Sequence, residues 1–139
     1  MHKAPTESTT IHVLLIEDNP ADVELLRMAL DQARFPYEVT VIHDGAEALE
    51  LFRKTADLLP DITVLDLNLP KYGGLEILEA ARANPAYAGM PIAILSSSSS
   101  PRERSRIQMF DKVRYLTKPL DLDEYLSIGP IIRDFAKPS

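Results

Sequence analysis

Short apolar runs alternate with segments patterned as amphipathic helices, and this alternation constrains the fold more than any other feature. The predicted strands are residues 11–16, 37–42, 62–65, 92–95 and 113–116. Runs such as Val13-Leu14-Leu15-Ile16 are apolar at consecutive positions, which is typical of strands covered on both faces. The alternation predicts an α/β fold, a doubly wound parallel sheet of five strands with helices on both faces and right-handed crossovers.

The starts of most predicted helices carry capping signals. Asn19 precedes Pro20, and Asp22 then favours the positive end of the helix. The other predicted caps are followed three residues later by a glutamate, the spacing of a capping box, and these pairs are Asp44 with Glu47, Ser100 with Glu103, and Asp121 with Glu124. A further helix is predicted over residues 75–83, and the last helix is predicted as one segment, with Tyr125 and Phe135 on its apolar side.

The composition limits the possible functions. The chain has 139 residues, 45% of them hydrophobic, which suits one domain; we expect a polar extension at 1–10, one domain at 11–137 and no output domain. A net charge of -6 disfavours direct contact with nucleic acid, and the absence of cysteine excludes thiol chemistry. Without a signal peptide or an apolar stretch of about 18 residues, the expected location is cytoplasmic, away from the membrane.

Polar side chains follow four of the predicted strands. Glu17 and Asp18 end the first, Asp66 the third and Ser96 the fourth, and Lys118 comes just after the fifth. In a doubly wound sheet, ligands bind outside the carboxyl ends of the strands, so these side chains are expected to share one rim.

These residue types favour phosphoryl chemistry. Crowded carboxylates repel each other, and a hard divalent cation such as Mg²⁺ removes that penalty. Lys118 could balance a second anion, to which Ser96 could donate a hydrogen bond. A carboxylate nucleophile would form an acyl phosphate, and Asp66 is the only carboxylate at the end of the central strand.

Four sequence blocks resemble the signature motifs of a known family. They are Ile16-Glu17-Asp18-Asn19, Leu65-Asp66-Leu67-Asn68-Leu69-Pro70, Ile94-Leu95-Ser96 and Tyr115-Leu116-Thr117-Lys118-Pro119. In this order and spacing they resemble the receiver domain of two-component response regulators. The chain is also similar to stand-alone receivers that partner phytochrome-type histidine kinases.

The resemblance implies a flavodoxin-like fold with strand order 2-1-3-4-5, as in chemotaxis regulators. It implies that Asp66 accepts a phosphoryl group from a histidine kinase. Asp18, Asp66 and the backbone carbonyl of Asn68 would bind Mg²⁺, with Mn²⁺ as an alternative ion. Glu17 would act through a water molecule or as a weaker ligand, and it stands where many receivers have aspartate.

The resemblance also implies roles on the switching side of the site. Ser96, in place of the commoner threonine, would hydrogen-bond the phosphoryl oxygen, and Lys118 would form an ion pair with it. Tyr115 would be the aromatic switch residue that moves inward when Ser96 is drawn to the phosphate, although a half-buried structural role is the simpler alternative. The family suggests a cis bond before Pro119 that aims the lysine.

The predicted function is therefore a phosphorylation switch that changes protein contacts, not an enzyme with a separate substrate. Apolar residues spread around the last helix suggest a homodimer through the fourth helix, fifth strand and fifth helix.

Three alternatives remain. A Mg²⁺-dependent phosphatase would want a second acid where Asn68 stands, and a flavin mononucleotide carrier would find phosphate repelled by Glu17 and Asp18. A phosphorylation-independent interaction module would need the acids, hydroxyl and lysine to coincide by chance.

Overall fold

The computed structural model describes residues 10–54, 59–67, 73–97 and 100–136. Five parallel strands form one sheet in the order β2-β1-β3-β4-β5. The strands are β1 Ile11–Ile16, β2 Tyr37–Ile42, β3 Ile62–Asp66, β4 Ile92–Ser96 and β5 Val113–Thr117. This topology confirms the predicted doubly wound fold, and the last three strands each run one residue further than predicted.

Helices cover both faces of the sheet in the described part of the chain. They are α1 Pro20–Gln32, α2 Gly45–Arg53, α3 Gly74–Ala83, α4 Pro101–Gln108, α5 Leu122–Leu126 and α6 Ile128–Ala136, with a 3₁₀ turn at Pro85–Tyr87. The predicted caps are made, since the side chains of Asn19, Asp44, Ser100 and Asp121 each accept a hydrogen bond from a backbone N–H of the first helical turn. None of the described helices is long and apolar enough to cross a membrane.

The core consists of two apolar layers on opposite faces of the sheet. Side chains of α2, α3 and α4, such as Phe52, Leu78 and Ile107, pack on one face. Side chains of α1, α5 and α6, such as Leu26 and Ile132, pack on the other. All five residues of β3 are buried, as expected for the central strand of a sheet covered on both faces.

The prediction of one continuous last helix is wrong. The segment divides into α5 and α6 at Ser127, whose N–H bonds to the carbonyls of Asp123 and Glu124. Pro130 explains the break, because it has no N–H to bond the carbonyl of Leu126 in a continuous helix. As the third residue of a new helix it is tolerated, since the first N–H groups of a helix have no partner within it.

Candidate functional site

The strand ends that the sequence singled out meet at one rim. Glu17 directly follows β1, while Asp66 and Ser96 are the last residues of β3 and β4. Their exposed fractions are 1%, 2% and 0%, so these polar groups are enclosed by the protein. Because β1 and β3 are neighbours, the strands bring the Glu17 and Asp66 carboxylates side by side.

A third acid that the prediction did not place in the site completes a cluster. Carboxylate oxygens of Glu17, Asp22 and Asp66 lie within 4.8 Å of one another. Asp22 reaches them from the first turn of α1, a helix that begins three residues after Glu17. The sequence analysis explained Asp22 by the helix dipole alone. The signal that could have revealed it was an acid in the first helical turn after a strand that already ends in two acids.

Two predicted metal ligands are not in this cluster. Asp18 is exposed and does not belong to the group of three carboxylates. Asn68 lies outside the described residues. Metal ligation by Asp18 and by the Asn68 carbonyl therefore stays a prediction.

Lys118 is the cation among these acids. Its Nζ lies 3.0 Å from Oδ2 of Asp22, 3.5 Å from Oδ2 of Asp66 and 3.7 Å from Oε1 of Glu17. Its backbone N–H donates to the Ser96 carbonyl at 2.7 Å, which holds the β5–α5 loop against the end of β4.

The prediction of a cis peptide bond before Pro119 is wrong, because the described residues contain no cis bond. Lys118 reaches the acids with the trans bond that X-Pro peptides ordinarily prefer.

Burial and charge shift the proton equilibria of the cluster. Burial, the hydrogen bond with Asp66 and the charge of Asp66 together raise the pKa of Glu17 to about 8, against the lowering effects of Lys118 and the Asn19 N–H. Burial lowers the pKa of Lys118, but the hydrogen bond with Asp22 and the charges of Asp66 and Glu17 outweigh it and raise that pKa overall. Lys118 is therefore charged, and the negative charge of the neighbouring acids favours a cation at this position.

The donor set of the cluster fits a divalent metal ion. Carboxylate oxygens are hard ligands of the kind that Mg²⁺, Mn²⁺ and Ca²⁺ prefer, and one oxygen from each of the three acids lies within 4.8 Å of the other two. A divalent cation would also relieve the repulsion that raises the pKa of Glu17.

Ser96 and Tyr115 are joined by a residue that the prediction treated only as a helix cap. Glu103 Oε1 accepts hydrogen bonds from the Ser96 hydroxyl at 3.2 Å and from the Tyr115 hydroxyl at 2.9 Å. The Tyr115 ring is buried, and the Arg104 guanidinium lies 4.8 Å from its centroid. The predicted switch residue thus lies inward, held by two consecutive residues of α4.

A cleft of about 240 Å³ opens beside the acidic cluster, between α1 and the segment that follows β5. Asp22 and Lys118 line it together with the fully exposed side chain of Leu120. Tyr125 also lines it, and the Tyr125 hydroxyl is buried without a hydrogen-bond partner among the described residues. The cleft therefore opens onto the Asp22 side of the acidic cluster.

Comparison with known proteins identifies the family. The family model described as "Response regulator receiver domain" matches residues 13–128. The chain is 36% identical over 127 residues to the transcriptional regulatory protein TrcR of Mycobacterium tuberculosis, covering 91% of this chain and 46% of TrcR. It is 28% identical over 127 residues to the response regulator Rcp1 of Synechocystis sp., covering 88% of this chain and 86% of Rcp1.

Solved structures of response regulators are also similar to this chain. The phosphorylated cyanobacterial phytochrome response regulator RcpA superimposes with a TM-score of 0.81 at 31% identity, covering 91% of this chain and 94% of RcpA. The Mn²⁺-bound form of Rcp1 gives a TM-score of 0.79 at 27% identity, covering 90% of this chain and 93% of that structure. A phosphatase and a flavin carrier are not favoured by these matches. The chain spans about half of TrcR but most of Rcp1 and RcpA.

Proposed function

Because the chain belongs to the response regulator receiver family, we propose that it takes a phosphoryl group onto Asp66 from a histidine kinase and thereby changes its protein contacts. The observation that carries this proposal is the position of Asp66. Its buried carboxylate ends the central strand, beside two further acids and 3.5 Å from Nζ of Lys118.

The chemistry follows from the residues around Asp66. An oxygen of the Asp66 carboxylate attacks the phosphorus of a phosphohistidine, the P–N bond breaks, and the imidazole leaves with the electron pair. A divalent ion bound by the acids would neutralise the developing negative charge. Lys118 pairs with the transferred phosphoryl group, and the Ser96 hydroxyl donates a hydrogen bond to it. The chain acts on its own carboxylate, with slow autodephosphorylation as its only further chemistry.

Mg²⁺ is the metal that we propose, with Mn²⁺ as the alternative. The acidic cluster supports a hard divalent ion, and the similar Rcp1 binds Mn²⁺ in a solved structure. Glu17 and Asp66 are the buried ligands of this proposal. Exposed Asp18 and the Asn68 carbonyl remain predicted ligands.

The proposed phosphodonor is a phytochrome-type histidine kinase, because RcpA is a phytochrome response regulator and resembles this chain over most of its length. The cleft beside Asp22 and Lys118 supports contact with a protein partner at this edge, since Leu120 offers an apolar contact next to the acidic cluster. We propose one receiver domain at residues 11–137. A cytoplasmic location and the absence of nucleic-acid contact remain predictions.

We further propose a homodimer through α4, β5 and α5. Exposed cations occupy α4, β5 and the turn between them, namely Arg102, Arg104, Arg106, Lys112 and Arg114. Exposed acids occupy the start of α5 and its cap, namely Asp121, Asp123 and Glu124. A two-fold axis at this surface would place the basic part of each copy against the acidic part of the other.

The decisive experiment is the intact mass of the protein after incubation with acetyl phosphate and Mg²⁺. We expect one phosphoryl adduct, which is lost without the metal and in Asp66→Asn. The matched control is Asp61→Asn, an exposed aspartate just before the same strand, and it should keep the adduct.

Absence of an adduct on the wild type, both with acetyl phosphate and with a phytochrome-type histidine kinase, would contradict the proposal. An interaction module that works without phosphorylation would then be the better description. An adduct that persists in Asp66→Asn would place the acceptor on another residue.

A further inference from the structure

Three elements of the fold meet at one carboxylate. Ser96 ends β4, Tyr115 lies in β5, and Glu103 lies in the first turn of α4. Both hydroxyls donate to the same oxygen, Oε1 of Glu103, at 3.2 and 2.9 Å. The Glu103 carboxylate of α4 thus links the end of β4, an interior strand, to the edge strand β5.

Capping of α4 does not explain this position of the Glu103 side chain. In the cap, the Ser100 hydroxyl accepts a hydrogen bond from the backbone N–H of Glu103 at 3.3 Å, and this bond does not use the Glu103 side chain. The side chain is directed to Ser96 and Tyr115. Hydrogen bonds to an ionised carboxylate are stronger than neutral ones, so Glu103 competes well for both hydroxyls.

The same Ser96 hydroxyl is the group that the proposed function assigns to the phosphoryl oxygens. It carries one proton and can donate to one strong acceptor at a time. A phosphoryl group on Asp66 and the Glu103 carboxylate therefore compete for one donor. The stronger acceptor therefore decides whether the hydrogen bond between the end of β4 and Glu103 of α4 persists.

We propose that Glu103 is a positioning residue that opposes phosphorylation by holding the Ser96 hydroxyl, and that this link between β4 and α4 is broken when the phosphoryl group takes the hydroxyl away. The inference rests on the proposed function of Asp66. Tyr115 changes its surroundings together with α4, because Glu103 binds its hydroxyl and Arg104 covers its ring. The signal thus passes from Ser96 to Glu103 and then to the surface of α4 and β5.

The test measures affinity for beryllium trifluoride, a tetrahedral phosphoryl analogue, in the presence of Mg²⁺, by fluorine NMR on the full chain. Glu103→Ala should bind the analogue about tenfold more tightly than the wild type, the lower end of the effect of one hydrogen bond to a charged group. Affinity for Mg²⁺ alone, measured by calorimetry, should not change. Tighter binding is opposite in sign to the effect of a merely structural loss.

Two further variants make the result specific. Glu103→Gln keeps the size and an acceptor oxygen but loses the charge, so its affinity should lie between wild type and Glu103→Ala. Glu47→Ala removes the glutamate at the same capping-box position of α2 and should leave the affinity unchanged.

The outcomes separate the inference from the function on which it rests. Equal or weaker binding by the folded Glu103 variants, with a wild type that binds the analogue, would overturn the role of Glu103 alone. If Glu103→Ala does not fold, Glu103→Gln decides, and wild-type affinity in that variant would overturn the role. A wild type that binds neither the analogue nor a phosphoryl group would contradict the proposed function and this inference together.

Discussion

Folding strongly alters the protonation of Glu17. It is buried beside Asp66, and its pKa rises from the ordinary 4.5 to about 8. The folded chain therefore holds a proton on Glu17 in a pH range where the unfolded chain has lost it. By linkage, this raised pKa contributes stability below pH 4.5, and the contribution is lost as the pH rises through about 8.

The prediction concerns the pH dependence of the free energy of unfolding, compared between the wild type and Glu17→Gln without divalent metal. From pH 5 to 8, the free energy of unfolding of the wild type should fall relative to that of Glu17→Gln, by at most about 1.4 kcal/mol per pH unit. Urea unfolding at several pH values, in a buffer with a chelator, measures it. Parallel pH profiles for the two proteins would show that Glu17 titrates normally in the folded chain.

Which site residues the sequence could reveal depended on where they lie. Asp66, Ser96 and Lys118 were found because each lies at or next to the end of an apolar run, where a polar side chain interrupts the pattern and caps no helix. Asp22 and Glu103 were missed because each lies in the first turn of a helix, where dipole and capping already account for an acid. Only the packing of α1 and α4 on the sheet shows that these two side chains reach the site.

At the scale of the elements, α1 and α6 pack closely at Gly129, where the backbone of α1 leaves no room for a side chain. A Cβ atom built on Gly129 would lie 2.1 Å from the carbonyl oxygen of Ala29 and 3.2 Å from the Cβ of Ala33. The oxygen belongs to the backbone of α1 and cannot turn away as a side chain would. Gly129 therefore allows the start of α6 to approach α1.

Gly129→Ala should destabilise the protein by about 1–3 kcal/mol, because overpacking forces the two helices apart. Gly89→Ala is the matched control, since a Cβ at Gly89 meets nothing within 4 Å, and it should have little effect. Thermal unfolding of both variants measures the difference. Equal melting temperatures would mean that α6 can shift without cost.

The division of the last helix illustrates what periodicity cannot reveal. Tyr125, Ile128 and Ile132 all contribute to one apolar layer, so the pattern continues across the break. The decisive signal was Pro130, which removes one backbone hydrogen bond. The alternation of strands and helices was predicted correctly because it requires only the type of each element, whereas the break depends on one residue.

For the whole molecule, the proposed association depends on where the charges lie on the surface more than on the net charge. The chain has a net charge of -6, yet α4, β5 and the turn between them present the exposed cations described above. The homodimer that we propose uses this contrast. Electrostatic pairing at a surface weakens with salt, because the Debye length falls to about 3 Å at 1 M.

Sedimentation velocity over a concentration series should show self-association that changes on phosphorylation and weakens in high salt. Arg114→Glu, which reverses a charge on β5, should weaken it at least about fivefold, because like charges then face each other. Arg53→Glu makes the same change at an exposed position of α2 and should not. A wild type that stays monomeric in every condition would exclude the dimer.

The position of Lys118 bears on whether the chain needs a bound metal in order to fold. Its ammonium group already lies among the three acids, so the chain carries its own counter-ion into the folded state. In small zinc domains, by contrast, the metal supplies the free energy of folding and must arrive first. We therefore expect this receiver to fold without a metal, so that the proposed metal would bind a chain that is already folded.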